Sequence, residues 1–124
     1  MWIKCNPNPG RKEVPDCVVR AITLATHRTW LGVYDDLCNL GRSEYNMPSA
    51  DQVWGKHLYL LGAEPFLLPA SCPQCVTIRD FARMYPRGVY VIGTGSHSVA
   101  VIDGNYYDSW DSGNEIPSFF WRLA

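Results

Sequence analysis

The sequence predicts an α+β domain with its helices first and an antiparallel sheet afterwards. Three observations lead there: apolar stripes at helical spacing from Cys17 to Tyr85, a change to alternating apolar residues after Gly88, and turn signals that fold that later segment on itself. At 124 residues the chain is long enough for one core and too short for two, so residues 1–124 are read as a single domain.

WIKC at residues 2–5 reads as a short strand, and Asn6 to Pro15, with three prolines and a glycine, must be a loop. Asp16 can cap a helix from Cys17 to about Arg28 in which Val18, Ala21, Ile22 and Ala25 recur at helical spacing, and Cys17 then lies in its first turn. Thr29 caps a second helix with the stripe Trp30, Val33, Tyr34, Leu37 and Cys38, ending near Gly41. Ser49 precedes a third, whose stripe is Val53, Trp54, His57, Leu58 and Leu61, with Gly62 at its end. Thr77 starts a short fourth helix carrying Ile78, Phe81, Ala82 and Tyr85, which Pro86 stops. Beyond Gly88, GVYVIG, HSVAVI and YYDSW form a three-stranded meander with turns at Thr94-Gly95 and around Asp103-Gly104-Asn105, and IPSFFW adds a further strand.

Composition excludes several functions. The chain is 47% hydrophobic and 13% aromatic, which supports a packed core and rules out a disordered tract. Eleven basic against twelve acidic residues give a net charge of -1, so no nucleic acid or anionic membrane partner is expected. No apolar run resembles a signal peptide or a membrane span, and five irregularly spaced cysteines suit a reducing compartment better than a disulfide framework. A cytoplasmic protein with at least one free thiol is the expectation.

A cysteine at a helix start lies near unpaired N–H groups and the positive end of the helix dipole, which favour its thiolate. Cys17 is so placed, although a lone cysteine there is more often a small buried residue. His97 opens the strand that continues through Val99 and Val101, at the mouth of the meander, where a histidine can equally be an ordinary hydrogen-bonded residue. The carboxylates of Asp108 and Asp111 follow on the next strand, and either could orient an imidazole. A two-residue turn at Gly104-Asn105 would pair Asp103 with Tyr106, Val101 with Asp108 and Val99 with Trp110. Asp108 and Trp110 then share the face of His97, whereas a three-residue turn would put Asp111 there instead. Thiol, imidazole and carboxylate brought together make a nucleophilic triad.

DCVVRAIT followed far downstream by GSHSVAVIDGNYYDSWDSG resembles the papain-like fold, in which the nucleophile opens a helix and the His and Asp or Asn stand on successive strands. It is also similar to small uncharacterised proteins of bacteriophages and their bacterial hosts that share DCxxRAI and HxVAVxDGxYYDxWDSG. The resemblance implies Cys17 as nucleophile, His97 as general base and acid, Asp108 as orienting group with Asp111 as the alternative, and Trp110 as a shield over the ion pair. Papain-like enzymes place an oxyanion-hole Gln before the nucleophile. The only glutamines here are Gln52 and Gln74, so the amide of Asn8 or Asn6 would take that part.

Cys72-Pro-Gln-Cys75 could join Cys5 and Cys38 or His57 in a zinc site, but one CxxC without a second pair is a weak signal and is read as a bare thiol pair. No G-x-S-x-G elbow marks a serine hydrolase, and no helix follows Gly93-Thr94-Gly95 to make it a phosphate loop. The expectation is thus a metal-free, cofactor-free cysteine hydrolase or acyltransferase acting on a peptide, isopeptide or amide bond of a protein or peptide, in the host cytoplasm if phage-encoded. The alternative is a papain-like binding module without turnover, a phage inhibitor of a host factor.

Overall fold

The computed structural model describes all residues from Met1 to Ala124. Four helices and six strands follow one another as β1 (Trp2–Lys4), α1 (Cys17–Thr26), α2 (Trp30–Ser43), α3 (Asp51–Leu60), β2 (Glu64–Leu67), α4 (Ile78–Met84), β3 (Val89–Gly93), β4 (Ser98–Ile102), β5 (Asn105–Asp108) and β6 (Phe119–Arg122). They build one mixed sheet in the order β1-β5-β4-β3-β6-β2, antiparallel throughout except for the parallel β1–β5 pair. The α+β class is as the sequence predicts.

Helices cover both faces of the sheet. On one, Val18, Ala21, Ile22 and Ala25 of α1 pack with Val33 and Leu37 of α2 and Trp54 and Leu58 of α3 against Val91 and Ala100. On the other, Ile78, Phe81 and Ala82 of α4 pack against Tyr90, Ile92, Val99, Val101, Tyr106 and Phe120. A fully buried side chain such as Ile22 or Phe81 contributes roughly 1.5–3 kcal/mol, so each layer is held firmly on its face, and the first fixes α1, with Cys17 at its start, against the sheet that carries β4.

Several boundaries differ from expectation. α1 stops at Thr26, because His27 turns left-handed (φ 55°). Asp16 stands at the cap position of α1, but its side chain caps nothing. Ser49 precedes α3 as expected, but Ala50 stands between them at the cap position and the helix begins at Asp51; Tyr34 and Leu61 of the expected stripes are half exposed. Thr77 and Asp80 do form a reciprocal capping box on α4. β2 was not foreseen: Glu64-Pro65-Phe66-Leu67 lacks alternation, and as an exposed edge strand it tolerates a proline.

Both hairpins turn one residue away from the expected place. Thr94 N–H bonds to His97 O (2.9 Å), so the turn residues are Gly95 and Ser96, with Gly95 at φ +95° as a type II′ turn requires. Ile102 pairs with Asn105, so the second turn is Asp103-Gly104 and not Gly104-Asn105. Both residues have positive φ (48° and 81°), which an Asp-Gly type I′ turn accommodates and an Asn105 at the second position would not improve. Val101 therefore pairs with Tyr106, a slip of two residues from the expected register that leaves the parity of Asp108 unchanged.

Candidate active site

Cys17 is the first residue of α1, and the local sequence leaves that helix end open. Since Asp16 does not cap it, the N–H groups of Cys17, Val18 and Val19 have no acceptor, and the first intrahelical bond is Arg20 N–H to Asp16 O (2.9 Å). The Asp16 carboxylate is engaged elsewhere. Its Oδ2 accepts from Asn8 Nδ2 (3.2 Å) and from Trp30 Nε1 (3.0 Å), and its Oδ1 lies 3.2 Å from Arg20 Nε.

His97 stands one residue before β4. Its main-chain N–H bonds to Thr94 Oγ1 (3.1 Å), which holds it at the neck of the turn. Strand alternation would place it with Val99 and Val101, yet those two pack on the α4 side while Cys17 packs on the α1 side. Being outside the paired stretch, the ring is released from the pleat and meets Cys17 at the end of the sheet. His97 Nε2 lies 2.6 Å from Asp108 Oδ2, which leaves Nδ1 as the nitrogen for the thiol. The Trp110 ring leans over the imidazole with centroids 4.9 Å apart.

Asp108 ends β5 and is 4% exposed, which for a carboxylate demands partners. It has four: His97, Ser112 Oγ–H donating to Oδ2 (2.6 Å), the Ser109 N–H donating to Oδ1 (2.8 Å), and Arg20 Nη2 at 3.6 Å from Oδ1. Arg20 is itself buried between Asp16 and Asp108 and donates to Ser109 Oγ (2.6 Å), tying α1 to the end of β5.

These contacts set the protonation states. Burial acts most strongly on Cys17 and raises its pKa, but hydrogen bonding to His97 and to the Ser98 N–H, with the charges of His97 and Arg20, outweighs it, and the thiol falls below its ordinary value. Burial likewise works against a charged His97. The Asp108 hydrogen bond, the Cys17 hydrogen bond and both negative charges overcome it and push the imidazole up to about 9. The shifts are reciprocal and favour a thiolate–imidazolium pair over two neutral groups.

Cys17 is reached from two sides. A cavity of about 220 Å³ is lined by Cys17, Ser49, Asp51, Ser96, His97 and Phe119 among others, and one of about 390 Å³ by Glu13, Cys17, Arg20, His97, Ser109 and Trp110 among others. Of the residues expected at the site, Cys17, His97, Asp108 and Trp110 come together. Asn8 and Asn6 line neither cavity: Asn8 Nδ2 donates to Asp16 and its Oδ1 accepts from Gly10, while Asn6 Nδ2 donates to Lys12 O. Asp111 accepts from Tyr106 Oη (2.6 Å) and faces Arg79 (3.5 Å), away from His97. Arg20 and Ser112 were not foreseen, although the four-residue spacing from Asp16 to Arg20 and the small residues of DSG were legible signals.

Cys72 and Cys75, expected as free thiols, are joined in a disulfide, which their Cα separation of 4.6 Å permits; Cys5, Cys17 and Cys38 are free. No three His, Cys, Asp or Glu side chains are grouped to hold a metal, and no helix is long and apolar enough to cross a membrane. No protein-family model, curated protein or solved structure matches the chain.

Proposed function

We propose that the chain is a nucleophilic-thiol enzyme of acyl transfer, and more particularly a papain-like cysteine hydrolase or acyltransferase acting on a peptide, isopeptide or amide bond. The observation that carries this is the Cys17–His97–Asp108 constellation, with a lowered thiol and a raised imidazole facing each other at an open helix start. The Cys17 thiolate attacks the carbonyl carbon, and the displaced π electrons go to the oxygen, which the unpaired N–H of Cys17 can receive. Collapse expels the amine as His97 protonates it. Water or an acceptor amine then attacks the thioester, giving its proton to His97 and releasing Cys17.

A second reading has its own support. With Asn6 and Asn8 turned away, no side-chain amide accompanies the Cys17 N–H as oxyanion donor, which favours a papain-like binding module, such as a phage inhibitor of a host factor. Limited alkylation with iodoacetamide at neutral pH followed by mass mapping tests the reactive thiol, with a panel of acyl and peptidyl thiol probes to test turnover. Cys17 is expected to react ahead of Cys5 and Cys38. A folded protein in which Cys17 stays unlabelled while the others react would refute the assignment; labelling of Cys17 with no probe turned over would favour the binding module.

A further inference from the structure

The carboxylates behind the thiol are neutralised within the fold: Asp16 lies on Arg20, and Asp108 on both His97 and Arg20. Asp51, at the wall of the Cys17 cavity, is not. Its Oδ1 accepts from Trp54 Nε1 (3.1 Å), its Oδ2 makes no hydrogen bond, and it takes part in no ion pair. Trp54 is 1% exposed, so a rigid indole holds this carboxylate in place with one oxygen free.

Asp51 also lines the neighbouring trough of about 420 Å³, whose other walls are Pro65, Phe66, Leu67, Phe119 and Trp121. Phe119, like Asp51, belongs to both cavities, so the trough continues the space in front of Cys17. Neither cavity has a lysine or arginine in its lining. The Phe119 ring lies flat across β3 because Gly93 beneath it has no side chain; a Cβ there would run into the ring. A fixed carboxylate at the head of an aromatic and aliphatic trough matches one kind of group, a cation on a long apolar stem. A purely apolar group would strip water from Asp51 without giving it a partner, and an anion would be repelled.

We infer that Asp51 is a specificity-determining residue that selects substrates carrying a lysine or arginine side chain beside the attacked carbonyl, with the stem against Phe119 and Trp121 and the cation on Asp51 Oδ2. This rests on Cys17 being the acylated nucleophile. The test uses the full chain and dipeptidyl acyloxymethyl ketones carrying Arg, Lys, norleucine or Glu at each of the two residues before the ketone, with the rate of Cys17 modification as readout. Iodoacetamide, which has no side chain to place, reports the thiol alone. Arginyl and lysyl probes are expected to modify Cys17 about fivefold faster than the norleucyl probe, the effect of one partly screened charge pair, and the glutamyl probe slowest. In Asp51→Asn that advantage disappears while the iodoacetamide rate is unchanged, and Asp51→Glu retains most of it. Equal rates for the four probes, or an arginine preference that survives in Asp51→Asn, would overturn the inference while leaving the reactive thiol standing. So would a norleucyl preference, which would transfer side-chain selection to the apolar cavity lined by Val18, Trp30, Tyr34 and Leu37. Failure of iodoacetamide itself to reach Cys17 would refute both.

Discussion

Replacing Asp108 by Asn changes one atom of a buried carboxylate and should disable His97 in two ways. The Asp108 hydrogen bond and charge raise the imidazole, whose folded value is about 9. Without them only Cys17 still supports the charged ring against burial and the imidazole falls from about 9; were it to reach the ordinary value of about 6.5, the imidazolium fraction at pH 8 would drop from about 90% to about 3%, roughly thirtyfold. The amide also alters the tautomer: if its NH2 group takes the Oδ2 position, it donates to Nε2, and the remaining ring proton then sits on Nδ1, facing the thiol that needs a base. Neutralising the acid of a comparable triad costs about ten-thousandfold in turnover, so a loss between about thirtyfold and that limit is expected. Turnover of the best substrate from the probe panel measures it, and proton NMR titration of the three histidines isolates the first effect. The sign in the wild type follows from the two shifts. Imidazolium is lost as pH rises through about 9, and thiolate is lost as pH falls through a value below that of an ordinary thiol, so activity is bell-shaped with its basic limb near 9. A His97 titration that stays near 9 in Asp108→Asn, or turnover equal to wild type, would refute the reasoning; Asp111→Asn, whose carboxylate faces Arg79, should change little.

Cys17→Ala should abolish turnover and keep cooperative unfolding, because Ala suits a first helical turn and the thiol is only partly buried; a collapse of the thermal transition would instead mark Cys17 as core. Arg20→Met leaves two buried carboxylates without their shared cation and should cost about 3–5 kcal/mol in chemical denaturation. A change under about 1 kcal/mol would show that Asp16 and Asp108 do not depend on it.

Helix positions were legible because their apolar spacing is long and regular, and the meander because its turns carry glycine. Cys17 and His97 could be singled out for related reasons, since a helix start and a turn neck are local features. The face of His97 was not, because alternation holds only inside a paired strand and His97 lies just outside one. The sequence puts the second turn at Gly104-Asn105, one residue beyond Asp103-Gly104, and because the resulting slip in register is even, Asp108 keeps its expected face of the sheet. The spacing of Asp16 and Arg20 is legible in the sequence, but the burial of Arg20 and Ser112 is not, since burial of a charged or hydroxyl side chain is a tertiary outcome, decided for Arg20 by a partner nearly ninety residues away. Asn6 and Asn8 are near Cys17 in sequence, but loop hydrogen bonds claim their amides.

The parallel strand β1 gives the site a particular timing. Trp2 Nε1 and the Cys5 N–H both donate to the main-chain oxygen of Asp108 (3.2 and 2.9 Å), so β1 and the residue after it brace the carboxylate that holds His97. During synthesis from the N-terminus, β1 emerges with nothing to pair with and waits for a strand about a hundred residues downstream, whereas the helix that begins at Cys17 can pack on α2 and α3 as soon as they follow it. Until then His97 has no Asp108 beside its Nε2, and Arg20 has no Ser109 to hold it. The His97–Asp108 contact can therefore form only once β5 has joined the sheet, and a chain that stops before Asn105 lacks it.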